Sequence, residues 1–128
     1  MSSSARLFLL LGGANAMLVV VLGAFGAHAL KARLSSDMMA IYHTGIQYHL
    51  FHAFGLLVIG LVAAWLPASA YLKWAGWLMS AGIVLFSGSL YLLSLSGQRW
   101  LGAVTPFGGV AFIVAWILFC IAVVRTAG

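Results

Sequence analysis

Four long apolar runs decide what this chain can fold into. They cover about residues 7–27, 45–66, 72–95 and 105–124, most of the 128 residues. Each is close to the roughly 20 residues a helix needs to cross a hydrocarbon layer about 30 Å thick. A water-soluble fold of this size must dress a large surface with polar groups. Here 65% of residues are hydrophobic and 5% are charged, against about 45–50% and about 25% in ordinary soluble domains. The mean hydropathy of +1.17 agrees. Inside a bilayer the backbone must satisfy its own polar groups, which leaves helices or closed barrels. The short alternating strands of a barrel are not seen in the sequence. The expected fold is an all-α membrane protein. It has a single transmembrane domain over residues 1–128, a four-transmembrane-helix bundle.

The first run imitates a secretory signal, with Arg6 before it and Gly26-Ala27-His28-Ala29 at its end. Its length exceeds the 7–15 residues of a signal core, so it is read as a retained helix. The longest polar stretch, residues 28–44, separates the first two runs. Ser35-Ser36-Asp37 there reads as a helix start, with Ser36 as N-cap and Asp37 favourably placed against the helix dipole. Met38, Ile41, Tyr42 and Gly45 then share a face, so a short amphipathic interfacial helix is expected between helices 1 and 2. It continues into the second span with a bend near Gly45. Pro67-Ala68-Ser69 ends the second helix, and Ser96-Gly97-Gln98-Arg99 ends the third. Thr105 is the expected N-cap of the fourth, with Pro106 at its first position.

Charge gives location rather than nucleic-acid binding. The net charge is +5, but Arg6, Lys31, Arg33, Lys73, Arg99 and Arg125 are scattered at the ends of apolar runs, where snorkelling residues belong. No basic patch forms, which excludes a phosphate-backbone surface. Trp65, Tyr71, Trp74 and Trp100 flank the turns as an interfacial belt would. Trp116 lies mid-span and reads as packing. Both termini fall on one side. The basic residues divide nearly evenly, and the expected orientation puts the termini in the cytoplasm, with the bacterial inner membrane as the location. Cys120 is the sole cysteine, which leaves no intramolecular disulfide and no cysteine metal site.

Helices in lipid associate through close backbone approach and polar contacts. Gly12/Ala16, Gly23/Ala27 and Gly76/Ser80 are small pairs four apart, and Gly108-Gly109 bares the start of the fourth helix. Ser80, Ser87, Tyr91 and Ser94 form an expected polar stripe on the third. Asn15, inside the first span, needs a hydrogen-bond partner. All four histidines lie between 28 and 52. His49 and His52 share a face of the second helix, whereas His43 points about 180° from His52. Three readings stay open. The histidines tie helices together or sit at the wet interface. Alternatively, His28 and His52 with Tyr48, Ser87 and Tyr91 line an internal ligand site. In the third, His28, His49 and His52 hold a metal or haem, although a helical pair needs further ligands and no carboxylate lies within a span. No metal site or cofactor is the expectation.

Gly23-Ala24-Phe25-Gly26-Ala27-His28-Ala29-Leu30, Gln47-Tyr48 through His52-Ala53, Phe86-Ser87-Gly88-Ser89-Leu90-Tyr91 and Thr105-Pro106-Phe107-Gly108-Gly109 together resemble the domain of unknown function 423 family, small four-helix membrane proteins. The resemblance covers nearly the whole chain. It implies a family-wide role for His28, Tyr48, His52, Ser87, Ser89, Tyr91 and Thr105, and these are the candidate ligand-binding residues. Position 49 departs from it, since a Gln is expected there. The resemblance supplies no activity. The leading expectation is a non-catalytic membrane component or assembly partner, contacting lipids and forming a homo-oligomer or joining a larger membrane protein. The alternative is a binding module holding a lipid headgroup, quinone or other small ligand. A small transporter ranks third. No Ser-His-Asp order or carboxylate pair favours an enzyme.

Overall fold

The computed structural model describes residues 1–126. Helix α1, Ser3–Phe25, runs into a π-helical turn, Gly26–Leu30. After a short loop, α2 spans Ser36–Trp65. The third span is α3, Ala70–Gly82, a second π-helical turn, Ile83–Ser87, and α4, Gly88–Ser96. A 3-10 helix, Arg99–Ala103, leads into α5, Thr105–Thr126. Four helical stretches are long and apolar enough to cross a membrane: Ser3–Leu30, Ser36–Trp65, Ala70–Ser96 and Arg99–Arg125.

The ends are set by local chemistry. Ser2, Ser35 and Ser69 cap α1, α2 and α3 by accepting from the backbone N–H three residues on, one of the donors a helix start leaves orphaned. The cap of α2 is therefore Ser35, whose backbone is extended, and not Ser36. The expected interfacial helix is present and, as expected, runs on into the second span. It forms the opening turns of α2, continuous with the span. Gly97 ends α4 in the left-handed conformation, φ 73°, which a glycine adopts without Cβ strain. Thr105 is already the first residue of α5. Its hydroxyl meets the Ser89 hydroxyl at 2.7 Å and leans to the Leu101 carbonyl, which replaces the expected capping role.

The helices meet where glycine lets backbones approach. A Cβ on Gly12 would fall 2.8 Å from the Leu57 nitrogen, and one on Gly60 2.9 Å from the Leu9 nitrogen. These two glycines clamp α1 to α2. The Phe8 ring lies against Gly76, and Met79 lies against Gly55. The core is apolar, with Phe8, Leu56, Ile59, Met79, Phe112 and Ala115 buried. Gly23, by contrast, has open space around its Cβ direction, so the expected Gly23/Ala27 contact is not made within the chain.

The second π-helical turn breaks the expected serine stripe. Leu72, Ala75, Gly76, Met79 and Ile83 are buried at helical spacing, and an unbroken α-helix would next bury Phe86. The wider turn delays the face by one residue. Ser87 becomes fully buried, while Phe86 is turned partly outward. Ser80 lies before the turn and bonds only to Gly76 of its own helix. Ser87 lies at its end and reaches across to the Gly45 carbonyl at 2.7 Å.

Candidate functional site

The polar residues singled out by sequence divide into separate groups. His49 is buried, between α1 and α4. Its Nε2 meets Asn15 Oδ1 at 2.9 Å and its Nδ1 meets the Tyr91 hydroxyl at 2.8 Å. The Asn15 amide nitrogen donates to the Leu11 carbonyl, so Oδ1 faces the histidine as an acceptor. His49 therefore donates from Nε2, and its bare Nδ1 accepts from Tyr91. One imidazole thus links three helices.

His52 has the opposite tautomer. Its Nδ1 lies 2.7 Å from the Tyr48 carbonyl, which can only accept. Its Nε2 accepts from the Trp116 indole N–H at 3.1 Å. The ring stacks on Phe112, centroids 3.5 Å apart and planes 5° from parallel. Tyr48 lies on the same helix, nearly parallel to His52, and packs on Phe86. Both nitrogens of both buried histidines are thus committed to protein partners. The metal and haem reading gains no support from this, because a ligating nitrogen would first have to give up its bond.

His28 joins neither group. It lies in the first π-helical turn, exposed. Tyr42, which the sequence did not single out as a site residue, is buried, and its hydroxyl donates to the Leu22 carbonyl. Ser87 holds Gly45, and Ser89 pairs with Thr105. These are helix-to-helix fasteners at the loop end of the bundle.

Between α2, the second π-helical turn and α5 lies a cleft of about 630 Å³. Phe51, Phe86, Phe112 and Trp116 wall it, and His52 forms part of the floor. Gln47, Tyr48 and Gly109 stand at its loop end. α2 and α5 both run away from that end, so the cleft lies along their shared direction. Sequence reasoning found Tyr48 and His52 but missed the cleft and assigned Trp116 to packing alone. The signal available was the indole N–H, which needs an acceptor in hydrocarbon.

Four apolar spans enclosing interhelical hydrogen-bond nodes define a small polytopic α-helical membrane protein. Residues 22–109 match the family described as Protein of unknown function (DUF423). The chain is 51% identical over 120 residues to the UPF0382 membrane protein YwdK of Bacillus subtilis, covering 94% of this chain and 98% of that one. It is 49% identical over 123 residues to the UPF0382 membrane protein SERP0230 of Staphylococcus epidermidis, covering 96% and 99%. The chain belongs to this family of membrane proteins, and no function is attached to it. No solved structure matches the chain.

Proposed function

We propose that this protein is a non-catalytic, membrane-embedded binding module that takes an apolar molecule from the bilayer into the cleft between α2 and α5. The observation that carries this is the cleft itself. Its volume lies within the roughly 300–1,000 Å³ of small-molecule sites, and its wall is aromatic with few polar groups, as such sites are. It is open at the side, among residues such as Phe51 and Ile113 that face outward. The histidine at its floor is held neutral and fully bonded, so it supplies shape rather than a nucleophile or a metal ligand, and the reading involves no cofactor. The membrane is a bacterial cytoplasmic membrane, with the termini in the cytoplasm beside Arg6, Lys73 and Arg125.

The test uses a variant with Trp65, Trp74, Trp77 and Trp100 changed to Phe, which leaves Trp116 as the sole indole. Binding in the cleft predicts saturable quenching of Trp116 by a dibrominated fatty alcohol, which carries no charge, in neutral detergent. Gly109→Leu, which fills the loop end of the cleft, should abolish it. Equal quenching in the open and filled forms would rule out the cleft as a site.

A second reading, self-association, is favoured by the outer face of α1. Added Cβ atoms on Gly13 and Gly23 meet nothing within 4 Å, and small residues on an open face let another helix approach. Disulfide cross-linking of Gly13→Cys in a Cys120→Ser background, in native membranes, should give a dimer. A monomer alone under oxidation would remove this reading.

A further inference from the structure

We infer that the α2–α5 cleft takes an amphiphile with a neutral, hydrogen-bonding ring head, of the quinone class, its head at Gln47 and Tyr48 and its tail toward Trp116. This rests on the cleft being a binding site, and it names what the site selects.

The polar inventory of the cleft is short. Both His52 nitrogens and the Trp116 indole N–H are engaged with protein. Among the described residues, the Gln47 amide and the Tyr48 hydroxyl are the lining side-chain groups without an internal partner. An amide donates and accepts, and so does a phenol. Together they suit a head with carbonyl or hydroxyl oxygens. No lysine, arginine or carboxylate lines the cleft. A phosphate or carboxylate head placed there would sit desolvated with no countercharge, which is strongly unfavourable.

Geometry orients the molecule. Gln47 and Tyr48 lie about 16–18 Å along α2 from its start, past the opening polar turns. Gly109 is at the same end of α5, and Trp116 lies seven residues further on. That separation is about 10 Å along the helix, room for a ring and the first part of one tail. The Tyr48 and Phe86 rings, 4.5 Å apart and tilted by 41°, border the head end. Aromatic rings receive another ring in offset or edge contacts. The π-helical turn makes this possible, because it turns Phe86 from the core toward the cleft and leaves Ser87 buried.

The experiment uses the full chain with Trp116 as the sole tryptophan, in neutral detergent, titrated with decylubiquinone while indole quenching is followed. Hexadecane and dioleoylphosphatidylglycerol serve as competitors. Saturable quenching is expected. Gln47→Ala and Tyr48→Phe should each weaken it about threefold to tenfold, the range of one lost hydrogen bond, and Gly109→Leu should abolish it. Neither competitor should displace the quinone at equal concentration. Displacement by the phospholipid, or affinity unchanged in both head-end variants, overturns the neutral-ring assignment while the cleft remains a binding site. Quenching that Gly109→Leu leaves intact overturns both. Gly109→Ala, whose added carbon would stand 3.8 Å from the Phe86 ring, is the folding control and should bind as the parent does.

Discussion

Gly108 and Gly109 are adjacent and chemically identical, and the structure predicts opposite outcomes for the same substitution. A methyl carbon on Gly108 would fall 2.3 Å from the Phe86 nitrogen and 2.8 Å from the Leu85 carbonyl carbon. Contact distances for heavy atoms are about 3.5–4.0 Å, so α5 and the π-helical turn would have to part by about 1 Å. The obstacle is backbone and cannot rotate away. The separation would stretch the Ser89–Thr105 bond, now 2.7 Å, past hydrogen-bond reach. Overpacking of this kind is destabilising by about 1–3 kcal/mol, and an interhelical hydrogen bond in a membrane adds about 0.6 kcal/mol. Gly108→Ala should therefore lose about 2–4 kcal/mol. Gly109→Ala, with its nearest neighbour at 3.8 Å, should be neutral or slightly stabilising through helix propensity. Reversible unfolding by SDS in mixed micelles, followed by circular dichroism, measures both. Values within about 0.5 kcal/mol of each other would refute the close-approach argument, since neither helix would then rest on Gly108.

The same assay checks three further expectations. Gly26→Ala places a carbon 2.5 Å from the Tyr42 ring, so it should displace that ring, break its bond to Leu22, and lose about 1–3 kcal/mol. His49→Gln keeps a donor and an acceptor and should lose under about 1 kcal/mol, whereas His49→Leu strands Asn15 and Tyr91 and should lose about 2–3 kcal/mol. Trp116→Phe removes the donor to His52 and should lose about 1 kcal/mol, with no change in the His49–Tyr91 bond as reported by the Tyr91 ultraviolet resonance Raman band.

The spans were legible because hydrocarbon imposes one simple demand, length without charge, and runs such as residues 105–124 meet it openly. The break at Pro67-Ala68-Ser69 and the stop around Gly97 were legible from local turn chemistry, although the cap at Ser69 was not read. The third span was not. Its serine stripe assumes a constant 100° per residue, and the π-helical turn at Ile83–Ser87 breaks that constancy. Nothing in Ile83-Val84-Leu85-Phe86-Ser87 announces it. The turn lies where Gly108 meets Phe86 and Ser87 meets Gly45, contacts between residues distant in sequence. The sequence groups His28 with His52 as ionisable side chains in or beside the spans, and the resemblance includes both. Sequence order gave no sign that one faces outward and the other inward.

His49 and His52 show why such a cluster resists reading from the chain. Three residues apart, they project about 60° apart around α2, enough for one to face α1 and α4 and the other to face α5. Their opposite tautomers follow from their partners: an amide oxygen and a phenol for one, a carbonyl and an indole for the other. In hydrocarbon a neutral imidazole is well suited to such a place, because it offers one donor and one acceptor at opposite edges and leaves neither unsatisfied. This separates construction from recognition along a single helix face. His52 is spent on holding α5 against α2 and fixing the cleft floor. The Gln47 amide and Tyr48 hydroxyl, about one turn nearer the loops, remain free to meet whatever enters. Removing the Tyr48 hydroxyl should then weaken binding with stability unchanged, whereas removing the His52 ring should lower both together.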